Sequence, residues 1–137
     1  KEEILSDETL KALGADTQQA ALLAAIELTE NGLKYSDDQQ PAPVEFDCST
    51  QDGRLVIRVR NRIQAGPHTE ALAETLRRIK TENPFDLYVQ RLESIKDHPD
   101  GFSRLGLIRV AYEGEFDLDV EFKDGYAVVT AARSLDR

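Results

Sequence analysis

Three polar residues share one face of a single helical segment. Glu27, Asn31 and Lys34 lie at i, i+4 and i+7 within residues 17–36, TQQAALLAAIELTENGLKYS. An acid, an amide and a base stand in a row. Such groups can accept, donate and carry charge side by side. Read alone, the same row is also the solvated face of an ordinary amphipathic helix. A second stripe on this segment, Leu22, Ile26, Thr29 and Leu33, sits roughly 140° round the helix at ~100° per residue and is assigned to the core.

The remaining elements must position that row. Residues 1–16 carry a short apolar beat, Ile4, Leu5, Leu10 and Leu13, and end at Gly14. They read as a short helix with a glycine stop, and Asp16 or Thr17 as the N-cap of the next helix. A loop, 37–43, leads to strands at 44–49 and 54–60, with Asp52-Gly53 as the hairpin turn. After a loop at 61–67, a helix at 68–80 carries Leu72, Leu76 and Ile79. Asn83-Pro84 opens another helix, to about residue 96, carrying Phe85, Leu87, Tyr88, Leu92 and Ile95. A turn at 98–101 leads to a short helix at 103–112. Strands at 118–122 and 126–132 close the chain around Lys123-Asp124-Gly125. Strand pairs separated by helices predict an α+β fold, a two-layer sandwich with a mostly antiparallel sheet and helices on one face. No repeat or linker divides residues 1–137, so one domain is expected.

Composition narrows the function classes. The 137 residues carry a net charge of −9, with 40% hydrophobic and 31% charged residues. That is the composition of a folded, water-compatible domain. The acidic balance argues against nucleic acid and against an anionic membrane surface as partners. No apolar run reaches the roughly 20 residues that span a bilayer. A single cysteine, Cys48, permits no internal disulfide, which fits a cytoplasmic setting, and its strand position reads as a small packing residue. His68 and His98 have no cysteine or carboxylate neighbours at zinc-ligand spacing. The chain has no methionine and opens at Lys1, as expected of a trimmed sequence or of one from which methionines have been lost.

The run Glu27-Leu28-Thr29-Glu30-Asn31-Gly32-Leu33-Lys34-Tyr35-Ser36 resembles the N-box helix of the histidine-kinase-like ATPase superfamily, which typically reads Glu-Leu-x-x-Asn-Ala-x-Lys-Tyr/His. The superfamily includes sensor histidine kinases, Hsp90-type chaperones and anti-sigma-factor kinases. The resemblance implies a Bergerat-type ATP-binding fold over roughly residues 17–134. It implies that Asn31 binds Mg²⁺, that Glu27 orients water or acts as general base, and that Lys34 reaches a phosphate.

Two further motifs are altered. The family's strand after the N-box ends in Asp-x-Gly-x-Gly, where the Asp meets the adenine amino group. Here Asn61 takes the Asp position, and Ile63 and Ala65 take the glycine positions, with Gly66 one residue late. An asparagine still offers an acceptor oxygen, without charge. The second glycine box, Gly-x-Gly-Leu-Gly-Leu, corresponds to Phe102-Ser103-Arg104-Leu105-Gly106-Leu107. Gly106 is retained, and Arg104 offers a guanidinium where backbone would otherwise approach phosphate. An ordinary helix start capped by Ser103 is the competing reading. The sequence Leu-Gly-Leu with a following Arg and a Tyr-Glu pair is most similar to small stand-alone bacterial signalling regulators of this superfamily. Some members act as kinases or phosphatase-linked switches on anti-sigma-antagonist-like partners.

Two functions follow. In the first, the chain is a regulator with a degenerate ATP/Mg site, acting as a protein serine kinase on a small partner, with a homodimer left open. In the second, it is a non-catalytic protein-binding module that keeps the fold and has lost nucleotide. Neither His98, which sits in a loop before Pro99, nor any other segment resembles the phosphoacceptor helix of a complete sensor kinase.

Overall fold

The computed structural model describes residues 2–4, 14–34, 43–63, 67–97 and 105–135. The elements run β1 (Glu2–Ile4), α1 (Ala15–Lys34), β2 (Glu45–Gln51), β3 (Arg54–Arg62), α2 (Pro67–Thr81), α3 (Pro84–Asp97), α4 (Leu105–Tyr112), β4 (Asp117–Lys123) and β5 (Tyr126–Ser134). The five strands form one antiparallel sheet in the order β1-β2-β3-β5-β4. The fold is therefore α+β, as the strand pairs and intervening helices predict.

Both expected hairpins are built on two-residue turns. Asp52 and Gly53 have φ of 54° and 76°, and Asp124 and Gly125 have 54° and 81°. Two consecutive left-handed residues match the twist of antiparallel strands, which is why Asp-Gly is favoured there. These turns set the register, with Gln51 opposite Arg54 and Lys123 opposite Tyr126. Alternation then sends Leu55, Ile57, Val59, Leu118, Val129 and Ala131 to one face. All six are buried there in one cluster with Ala24, Leu28, Leu72, Leu76, Leu87 and Leu107 from the helices. The opposite face carries ion pairs between strands, Arg60 with Glu45, Arg58 with Asp47 and Arg54 with Asp117. The Arg60 guanidinium also lies 3.6 Å from the centre of the Tyr126 ring.

Four expectations need correction. Residues 2–4, assigned to a helix, form a strand, with Ile4 opposite Ser49. A three-residue strand has no alternation long enough to announce itself, and only the exposed edge of β2 selects it. The rest of that expected helix, residues 5–13, lies outside the described residues. Gly14, taken as a helix stop, stands at a helix start: its carbonyl accepts from Gln18 N at 3.0 Å, and α1 begins at Ala15. The expected caps Asp16 and Thr17 are thus inside the first turn. Third, β3 runs to Arg62, so Asn61 is a strand residue paired with Ala127 and not part of a loop.

The fourth correction concerns α1. Its buried face is Thr17, Ala20, Ala21, Ala24 and Leu28, with Gly32 beyond. Leu22 is 62% exposed and Ile26 47% exposed. Two members of the stripe assigned to the core thus face away from it, Thr29 is only half-buried, and the Leu33 side chain lies outside the described residues. The physical reason is side-chain size. Small residues let the helix axis approach both β3 and α4, and larger residues in that gap would force the layers apart.

α2 and α3 follow the expected boundaries closely. The Asn83 side chain accepts from Phe85 N at 2.9 Å and Asp86 N at 3.1 Å, a helix N-cap with proline at the first helical position. Leu72, Leu76 and Ile79 of α2 and Leu87 of α3 are buried. The turn expected at 98–101 and the cap Ser103 lie outside the described residues. No described helix is long and apolar enough to cross a membrane.

Candidate functional site

Glu27 and Asn31 are both half-buried on α1, and the side chain of Lys34 lies outside the described residues. Glu27 points to α4. A Cβ added to Gly106 would overlap the Glu27 carboxylate where it stands, so a larger residue there would make that flexible side chain shift. Glu27 keeps 19% of its side-chain exposure, and its Oε1 lies 3.6 Å from Arg109 Nη1. Arg109 also donates from Nε to Glu113 Oε2 at 2.7 Å, one turn further along α4. The hydrogen bond to Glu113 raises the Arg109 pKa most, and the Glu113 and Glu27 charges add to it against the cost of burial. Arg109 is thus a fixed cation whose charge is shared between two carboxylates.

One turn beyond Glu27, the helix meets the end of β3. A Cβ on Gly32 would come within 3.2 Å of Val44 Cγ1 and Val59 Cγ1, and 3.6 Å from Asn61 Oδ1. Asn61 is 3% exposed, and its Nδ2 lies 3.5 Å from the carbonyl of Arg62, at the limit for a hydrogen bond. Its neighbour Ile63 donates its backbone N–H to Gly125 O at 2.9 Å, so the β4–β5 turn holds the position of the expected first glycine. Asn31 is half-buried on α1 between these two contacts.

The fold therefore brings together three segments that are distant in sequence. Glu27 meets Gly106, and the Asn31-Gly32 end of the same helix meets Asn61. Lys34 is the last residue of α1. Arg104, Ala65, Gly66 and Gly101 lie outside the described residues.

Arg109 is the residue whose role sequence reasoning missed. It belongs to the Leu-Gly-Leu run that carries the resemblance, yet no task was assigned to it. Its spacing held a signal: Arg109 is one turn after Gly106 and forms an i,i+4 pair with Glu113. Its contact with Glu27 crosses between helices and has no local signature.

For Mg²⁺ the protein donors amount to the Asn31 amide oxygen, with Glu27 one turn away. No cluster of three or more His, Cys, Asp or Glu that could hold a metal exists among the described residues. Such a sparse donor set fits a metal that arrives with nucleotide phosphates and keeps several waters, not a resident ion. A cavity of about 410 Å³ continues the α1–α4 seam below Glu27, lined by Asp16, Gln19, Leu23, Arg109, Glu113 and Arg133. Arg133 is 4% exposed and donates from Nη1 to Gly114 O at 2.6 Å. This cavity opens beside Arg109 and away from Asn61.

Two other features have structural explanations. Arg58 and Arg60 of β3 form cross-strand pairs on the solvent-facing side of the sheet, where such pairs contribute ~0–1 kcal/mol each. Cys48 is a free, half-buried thiol on β2. Burial first and the Asp47 charge second push its pKa up, the opposite of what a nucleophilic cysteine needs.

No protein-family model matches the chain, and neither a curated protein nor a solved structure matches it.

Proposed function

We propose that the chain is a bacterial signalling regulator built on the histidine-kinase-like ATPase fold, with an altered Mg·ATP site, acting on a small anti-sigma-antagonist-like protein partner. One observation carries this reading. The N-box helix touches both altered motifs at once, through Glu27 against Gly106 and through Gly32 beside Asn61. The acid of this helix lies against Gly106 and pairs with Arg109 on α4, so this face is not simply solvated.

In this reading Asn31 offers the oxygen that meets Mg²⁺, and the metal supplies charge neutralisation of the phosphates when bound. Asn61 offers its amide to the adenine edge. Gly106, with Lys34 and Arg104, is assigned to the phosphate end. Glu27 holds or orients a proton-bearing group only when Arg109 releases it, because the pair at 3.6 Å competes for the same carboxylate. Arg109 is therefore a positioning residue.

A second reading, a binding module without nucleotide, is favoured by a different observation. Asn61 is almost wholly buried, and Val44 and Val59 close on Gly32. Space that a base would need at that end is occupied by side chains. Isothermal titration with Mg·ATP separates the two. Under the first reading heat is measured below millimolar nucleotide, is lost in Asn31→Ala and persists in Phe122→Ser on β4. No heat at millimolar Mg·ATP from the intact protein leaves only the binding module.

A further inference from the structure

α3 bears an apolar stripe that the core uses only at Tyr88. Phe85, Tyr88, Val89 and Leu92 recur at i, i+3, i+4 and i+7, the spacing of one helix face. Core contact on this helix is made by Leu87 at 2% exposure and, at the edge of the stripe, by the half-buried Tyr88. Phe85 is 54% exposed, Leu92 41% and Val89 36%. Tyr112 of α4, 39% exposed, extends the stripe sideways, with ring centres 5.8 Å from Phe85 and 5.6 Å from Tyr88. Four of the eight large apolar side chains that are exposed among the described residues thus sit on one continuous surface. Single exposed apolar residues need no explanation, but a clustered aromatic surface marks an interaction site.

Charge identifies the occupant. Asp86 and Glu93, both exposed, lie along the flank next to Val89 at ~100° per residue. No ion pair joins either of them to another described residue. Across the ring cluster Arg109 is engaged by Glu113 and Glu27. The whole chain carries −9, so a second copy or an anionic membrane would be repelled as it approached. A partner with apolar anchors flanked by lysine or arginine would be attracted and then held.

We infer that the Phe85–Tyr88–Val89–Leu92 face of α3, with Tyr112, docks an amphipathic helix of a protein partner whose apolar stripe is bordered by basic residues. Such a helix places anchors at i, i+3, i+4 and i+7 against a complementary face. The inference takes the existence of a protein partner from the proposed function. The surface itself lies apart from Asn31 and Asn61, so docking and nucleotide binding can fail separately.

The probe is a fluorescein-labelled 18-residue synthetic helix with a leucine stripe flanked by lysines, beside the same peptide with glutamates replacing the lysines. Fluorescence anisotropy at physiological salt is read on the full chain. The lysine peptide is expected to bind, and Phe85→Ser with Leu92→Ser to weaken it at least tenfold. Leu22→Ser with Ile26→Ser, the same chemistry on the other exposed apolar surface, is expected to change it less than twofold. Asp86→Lys with Glu93→Lys is expected to reverse the preference between the peptides. All substituted side chains are exposed, and melting curves confirm folding. Mg·ATP titration of the Phe85→Ser, Leu92→Ser variant is expected to match the unsubstituted chain. The inference is overturned by an unbound lysine peptide, by equal weakening in the Leu22, Ile26 pair, or by an unreversed charge preference. Sedimentation of the chain as a dimer that Phe85→Ser with Leu92→Ser dissociates would assign the surface to a second copy instead.

Discussion

α1 and α2 use their apolar residues in opposite ways. α2 buries its large ones, Leu72 at 3% and Leu76 at 2% exposure. α1 buries Ala20, Ala24 and Leu28 and leaves Leu22 and Ile26 in the open. Both helices are amphipathic by periodicity. The difference lies in what each must approach. α2 packs over the β4 side of the sheet, where space between layers is filled by leucine. α1 is pressed between β3 and α4, where the Glu27 carboxylate lies against Gly106 and a Cβ at Gly32 would come within 3.2 Å of Val44 and Val59. A stripe of large residues therefore does not identify the core face when the gap is narrow. A stripe of small ones does.

The largest expected effect tests the shared part of the two helices. Leu28→Ala and Leu76→Ala each remove a fully buried leucine from one cluster, and each is expected to cost about 3 kcal/mol in urea unfolding. A loss below 1 kcal/mol at Leu28 would mean that α1 does not pack as described.

Next comes the narrow gap itself. Ala24 is 0% exposed, and Ala24→Leu is expected to destabilise by about 2 kcal/mol through overpacking. The outward stripe gives the contrast: Leu22→Gln is expected to stay within ~0.5 kcal/mol of the parent. If Leu22→Gln proves the costlier of the two, the assignment of the faces is reversed.

The smallest effect concerns β2 at the sheet's other side. With its pKa raised by burial and by Asp47, Cys48 holds less thiolate at pH 8 than a free cysteine. Its reaction with iodoacetamide is expected to be slower than that of a model thiol peptide at pH 8 and to accelerate as pH rises above the ordinary thiol range. Rapid labelling at neutral pH would contradict this.

Local chemistry made much of the fold legible. Asp52-Gly53 and Asp124-Gly125 announce turns because both positions need positive φ. Asn83-Pro84 announces a helix start because its side chain can satisfy free amides and proline lacks one. β1 was not legible, since three residues become a strand only when a neighbouring edge accepts them. Asn61 reads as a loop residue because nothing local extends β3 beyond Arg60. Pairing of Asn61 with Ala127 on β5 does so.

For the site, residue types and spacing on α1 determined by themselves that Glu27, Asn31 and Lys34 share a face, because helical geometry is a local property. They also determined the strand pairs and their turns. Only the tertiary structure decided which way that face points, that Glu27 occupies the notch at Gly106, and that Arg109 competes for its carboxylate. Those facts depend on how closely two helices approach. That distance is set by the sizes of Ala20, Ala24 and Gly106 acting together across segments about 80 residues apart in the sequence.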